Sequence, residues 1–178
     1  MNRDSFREQL EAKKSAILEK WSQLIIDTYP ADTAEFLRHE TDRFANPVGC
    51  TIEQEIKTIY DELLYDMNRE KLSTSLDDII RIRSVQDFSP SQAIGFFFLL
   101  KQAARDELAN EIKENPASQE LLKFESRVDE LALLAFDIYT KCREQIYKIR
   151  VNEVTGQKEM ALRVLARINT AGEMIEEV

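Results

Sequence analysis

Four glycines and four prolines among 178 residues leave this chain short of turn-making residues, and that shortage constrains the fold most. A multi-stranded sheet needs a turn at each strand end, usually one built on Gly, Asn or Pro. Apolar residues here instead recur at three- and four-residue spacing, the period of an amphipathic helix. The expected class is all-α, a single helical bundle. An apolar content of 43% is enough for a packed core, and the length suits one domain with an appendage.

Start and stop signals divide the chain. Phe6, Leu10, Ile17, Leu18, Trp21, Leu24 and Ile25 mark a first helix that ends near Tyr29-Pro30. Asp32 with Glu35 is read as the start of a short helix carrying Phe36 and Leu37. Arg43 to Gly49 reads as loop, because Asn46-Pro47 and Val48-Gly49 disfavour helix. Thr51 with Gln54 is read as a capping box for the stripe Ile52, Ile56, Ile59, Tyr60, Leu63, Leu64 and Met67. Ser75 with Asp78 is read as opening another helix. Ser89-Pro90-Ser91-Gln92 is the best start signal: an N-cap Ser, Pro at the first helical position, and Gln at the third. The run Ala93 to Leu100 that follows is apolar all round, so the expectation is a helix enclosed by others, with Gly95 allowing a close neighbour.

Asn115-Pro116 is read as opening a last long helix with no breaker before Gly156. From Pro116 to Val154 it would extend roughly 58 Å at 1.5 Å per residue. A domain of about 140 residues is only about 35–40 Å across, so the helix is expected to leave the bundle. Lys141, Arg143, Lys148, Arg150, Lys158, Arg163 and Arg167 face only Glu144, Glu153 and Glu159 between positions 141 and 167. That stretch is +4, and the rest of the chain −13. Ile146, Ile149, Met160, Val164, Leu165 and Ile168 keep an apolar stripe there that wants a partner. Three partners are open: the chain's own bundle, a second tail in a homodimer, or a membrane or nucleic acid. The division expected is 1–150 as the helical domain and 151–178 as a tail.

A net charge of −9 argues against nucleic acid as a partner, because that binding neutralises phosphates. The longest apolar stretch is far short of the ~20 residues that cross a bilayer, so no direct membrane insertion is expected. Asn2 to Lys20 does not read as a signal peptide. Cys50 and Cys142 have no motif spacing and are read as thiols in a reducing, cytoplasmic compartment.

Reactive chemistry finds little support. His39 stands four residues after Glu35, a spacing that could chelate a metal, but a di-iron bundle needs two Glu-x-x-His elements and this chain has one His. The plainer account is an exposed His beside a carboxylate. Cys142 lies between Lys141 and Arg143 without a His base near in sequence, and reads as structural. Asp77-Asp78 complements a helix dipole, and no glycine-rich phosphate loop exists. Phe96-Phe97-Phe98 could line an effector pocket, though core packing accounts for it. The expectations are no enzyme activity, no cofactor and no metal.

One polar stretch is richer than a connection needs. Arg81 to Gln92 joins two helices with two arginines, an aspartate, and several amides and hydroxyls. Arg83, Gln86, Asp87, Ser89 and Gln92, with Arg43 nearby, are the candidate residues. One reading is a helix corner, Asp87 pairing with Arg83 and Ser89 capping. The other is a recognition edge for a small anion or a partner protein.

The motif Arg83-Ser84-Val85-Gln86-Asp87-Phe88-Ser89-Pro90-Ser91-Gln92-Ala93, continuing to Leu99-Leu100-Lys101 and preceded by Arg43-Phe44-Ala45-Asn46-Pro47-Val48-Gly49, resembles the RsbRD N-terminal domain family. These are sensor domains of RsbR-type co-antagonists of RsbT in bacterial stress signalling. The likeness runs from about Phe6 to Arg150. It implies an input domain, similar to a globin without haem, that dimerises and signals through a C-terminal helix. The 28 residues after Arg150 are too few for the STAS domain of full-length relatives, so a stand-alone member is expected. Similar stand-alone proteins occur in anaerobic sulfate-reducing bacteria, which implies a membrane-associated redox complex as a partner beside a signalling protein. The function expected is a non-enzymatic helical sensor or adaptor. Its competitors are a bundle binding an apolar or anionic effector and a structural subunit of a redox complex.

Overall fold

The computed structural model describes residues 3–86, 88–114 and 119–176, and the side chains of 6–86, 88–113 and 119–165. The helices are α1 (Arg3–Ala12), α2 (Lys14–Ile26), α3 (Ala31–His39), α4 (Pro47–Leu64), α5 (Arg69–Val85), α6 (Pro90–Gly95), α7 (Leu99–Glu107), α8 (Ala109–Glu114) and α9 (Gln119–Glu176), with a 3-10 turn at Phe96–Phe98. The described residues contain no strand, as the turn chemistry requires. None of the described helices is long and apolar enough to cross a membrane. The chain divides into two compact units, residues 1–140 and 141–178.

In the first unit α4 packs against α5, and α2 against both α4 and α7. Each presents a stripe at helical spacing. Ile17, Trp21 and Ile25 come from α2, Ile52, Ile56, Ile59 and Leu63 from α4, and Leu72, Leu76 and Ile79 from α5. From α9, Leu121, Phe124, Val128, Leu131 and Ala135 close the core. Two buried polar tips take backbone partners: Trp21 Nε1–H donates to the Phe96 carbonyl at 3.0 Å, and the Tyr60 hydroxyl to that of Leu10 at 3.0 Å.

Several starts differ from the expectation. The first helix is two, divided at Lys13 (φ −99°, ψ 10°), whose ammonium reaches the Glu107 carbonyl and pairs with Glu111 at 2.9 Å. Helix α3 begins at Ala31, right after Pro30 and one residue before Asp32, and its Phe36 is exposed. Asn46 caps α4, accepting the Gly49 N–H at 2.8 Å, and Pro47 takes the first helical position. The loop therefore ends at Asn46, and Thr51 lies inside the helix. Asn68 caps α5 through the N–H groups of Glu70 and Lys71, which leaves Ser75 as a buried mid-helix residue. In both cases an Asn oxygen further upstream satisfies the first-turn donors, so the later Ser or Thr has none left to cap.

The Ser89–Gln92 box forms as read, with the Gln92 N–H on the Ser89 hydroxyl at 3.3 Å and the Ser89 N–H on Gln92 Oε1 at 3.0 Å. The apolar run beyond it is not enclosed all round. Its turn tightens at Phe96–Phe98, Phe98 is exposed, and nothing lies within 4 Å of where a Gly95 Cβ would be. Among the described residues, no neighbouring helix uses the gap at Gly95. Helix α9 continues past Gly156 without a break, because one glycine costs a helix only ~1 kcal/mol. Leu122 on α9, expected from sequence to belong to that helix's apolar stripe, is exposed. Asn115-Pro116, and the side chains of Arg167 and Ile168, lie outside the described residues.

In the second unit Ile146 is half-buried. Tyr147, Ile149, Val151, Val154, Met160, Leu162, Val164 and Leu165 are exposed.

Candidate functional site

Arg83 ends a stripe in α5 that otherwise carries Leu72, Leu76, Ile79 and Ile80, so the helix period drives it inward. It is 0% exposed, among the largest fully buried side chains described. Nη1 donates to the Gln92 carbonyl in α6 at 3.0 Å. Nη2 donates to the Thr28 hydroxyl, just beyond α2, at 2.7 Å, and that hydroxyl donates onward to the Ile25 carbonyl at 2.6 Å. Phe96, Phe88 and Tyr29 place their rings 4.4, 4.6 and 5.0 Å from the guanidinium carbon. Tyr29 meets Phe88 edge-on at 5.1 Å.

The charge sits among ring faces and neutral acceptors. Arg83 has no ion pair among the described residues, and Asp87, its expected partner, lies outside them. Burial pulls the guanidinium below its usual pKa range, and neighbouring Tyr29 opposes that. The same burial raises the Tyr29 phenol, with Arg83 acting the other way. Arg83 Nε, the Tyr29 hydroxyl and Gln86 Oε1 are buried without a hydrogen-bond partner among the described residues. Delocalised charge over three aromatic faces recovers part of what water supplied.

Gln86, Ser89 and Gln92 fall around this clamp. Gln86 closes α5 with an extended backbone (φ −83°, ψ 164°). Ser89 and Gln92 are the reciprocal cap of α6, and the Gln92 carbonyl carries the Arg83 bond. Arg43 is exposed in the loop before α4 and takes no part in the clamp's hydrogen bonds. Tyr29, read from sequence only as a helix end, and Thr28, not singled out there, turn out to be clamp partners; no local pattern announces a contact across 55 positions. Asn46, read from sequence as part of a loop, is the cap of α4; Asn followed by Pro at the first helical position was the signal that could have found it.

In this arrangement the corner can bind α2, α5 and α6 together, but its guanidinium faces no solvent and so meets no external anion. His39 lines an open groove of about 650 Å³ with Glu35, Asp27 and Arg38. No group of three His, Cys, Asp or Glu residues able to hold a metal occurs among the described residues.

Fold and corner define the class first: an all-α domain whose helices α2, α5 and α6 are tied by a buried arginine. Residues 15–154 match the RsbT co-antagonist protein rsbRD N-terminal domain, and the chain belongs to that family, one of stress-signalling helical domains. An uncharacterised protein of Archaeoglobus fulgidus is 25% identical over 157 residues, covering 85% of this chain and 91% of the relative. No solved structure matches the chain.

Proposed function

We propose that this protein is a non-enzymatic signalling adaptor that acts as a homodimer and passes its state to a protein partner through α9. The observation carrying this reading is the apolar face of the second unit. Tyr147, Val151, Val154, Leu162 and Leu165 are exposed, and their spacing puts them on one side of the helix. An exposed stripe of that length is the mark of an interaction surface, and its three- and four-residue steps, interrupted between Val154 and Leu162 where exposed Lys158 takes the face, suit a paired helix. Family membership supports the signalling role. A stimulus would act by its differential affinity for two arrangements of the dimer, the only way a ligand shifts such an equilibrium.

The test is the mass of the full-length chain by light scattering, in a Phe44→Ala background that removes the exposed loop ring of the first unit, with and without Val151→Glu and Val154→Glu. The protein with its native α9 should be dimeric at micromolar concentration and the one carrying both glutamates monomeric, with circular dichroism showing that both remain helical. A monomeric parent, or a double variant that stays dimeric, would end the reading.

A further inference from the structure

We propose that the loop tip Arg43-Phe44 of one molecule enters the groove between α2, α3 and α4 of a second copy, Phe44 meeting the apolar floor and Arg43 meeting Glu19 and Glu53. Phe44 is 97% exposed, an unusual position for a large aromatic ring. The loop presenting it is held at both ends. The Asp42 carboxylate accepts the Phe44 N–H at 2.7 Å, Glu40 Oε1 accepts the Asp42 N–H at 2.8 Å, and the Asn46 N–H donates to the Asp42 carbonyl at 2.7 Å. Buried Asn46 anchors the base, its Nδ2 donating to the carbonyls of Glu40 at 2.8 Å and Leu37 at 3.2 Å. A ring shown on an ordered loop loses little entropy on binding, and aromatic and Arg side chains are the usual anchors of protein interfaces.

Charge identifies the occupant. Arg43 is exposed and has no ion pair among the described residues, in a chain with 33 acids to 24 bases. The groove has a volume of about 670 Å³ and is floored by Leu18, Ile26, Leu37 and Ile56. Glu19 and Glu53 stand on its rim, exposed and also without an ion pair among the described residues. Lys57 and the Asp27–Arg38 pair complete the rim, which is negative on balance. The tip joins α3 to α4, two walls of that same groove, so knob and groove are neighbours on one molecule. A two-fold axis then closes both contacts at once, as an isologous interface requires. Tip and groove both belong to the first unit, so the contact does not depend on the pairing of α9.

The experiment places the photo-crosslinker p-benzoylphenylalanine at position 44 of the full-length chain. Equal parts of unlabelled and ¹⁵N-labelled protein are mixed and irradiated, and the products are mapped by mass spectrometry. Crosslinks between differently labelled chains into α2, α3 or α4 at the groove are expected. Arg43→Glu should lower their yield about three- to fivefold, and Glu53→Arg in the same chain should restore it. Circular dichroism of each variant verifies folding, which an exposed tip should not affect. Crosslinks confined to one chain, directed to α9, or absent overturn the proposal, as does a yield indifferent to the charge swap. The crosslink map is read apart from the mass measurement on α9, so either proposal can fail alone.

Discussion

A Cβ built on Gly49 would lie 2.4 Å from Asn46 Nδ2 and 2.8 Å from Asn46 Oδ1. The Asn46 side chain is folded over the first turn of α4, taking the Gly49 N–H while tying back the carbonyls of Leu37 and Glu40. Glycine at position 49 is what lets the cap close.

Gly49→Ala should therefore displace Asn46 and lower stability by about 1–3 kcal/mol, through the lost cap and the unpaired buried amide. Gly95→Ala is the control. Nothing lies within 4 Å of its Cβ site, and the change should be neutral or stabilising by about 0.5–1 kcal/mol. Urea unfolding midpoints read both.

Arg83→Ala should cost about 3–5 kcal/mol, because it opens a cavity among three rings and strands the Thr28 and Gln92 partners. Arg83→Met, which keeps volume without a charge to desolvate, should cost less than half of that. Urea titration of the pair checks the order. An Arg83→Ala protein with an unchanged midpoint and weakened association would assign the residue to recognition.

Acid should reveal Glu62. The Lys71 ammonium, 3.0 Å from Oε1, and the Asn68 N–H, 3.0 Å from Oε2, hold its carboxyl below the usual range. A carboxyl lowered by folding stabilises above its unfolded value of about 4.3, and the gain disappears as pH falls through the folded value. Glu62→Gln should thus lower the urea midpoint at pH 7, and the gap between wild type and variant should close as pH falls below the usual carboxylate range. Parallel pH profiles for the two proteins would refute it.

Gly156→Ala should slow amide hydrogen exchange around position 156 by up to about fivefold, since Ala favours a helix interior over Gly by ~1 kcal/mol and nothing crowds its Cβ. Mass-spectrometric exchange on the full chain measures it.

The Ser89–Gln92 box was legible because donor, acceptor and Pro90 all sit within four residues. The starts of α4 and α5 were misplaced because Ser, Thr, Asp and Asn offer several caps along one stretch, and a helix takes the earliest that meets its first-turn donors. The division at Lys13 depends on Glu107 and Glu111, about a hundred positions away. The enclosure expected of residues 93–100 holds for Ala93, Ile94, Phe96, Phe97 and Leu100 but not for Phe98, for a related reason. Periodicity counts apolar faces but not neighbours, so it could not say that Phe98 and Gly95 would lack them.

Taken alone, the order of residues determined the all-α class, the cap of α6 and most of the apolar stripes, since each rests on hydrogen bonds or periods a few positions long, while the family followed from the likeness of whole motifs. Only the tertiary structure decided that Arg83 would be sealed among Tyr29, Phe88 and Phe96, and that Phe44 would stand exposed on a hydrogen-bonded loop. Burial is set by what packs from elsewhere in the chain, and a polar motif reads the same whether its arginine faces solvent or a ring.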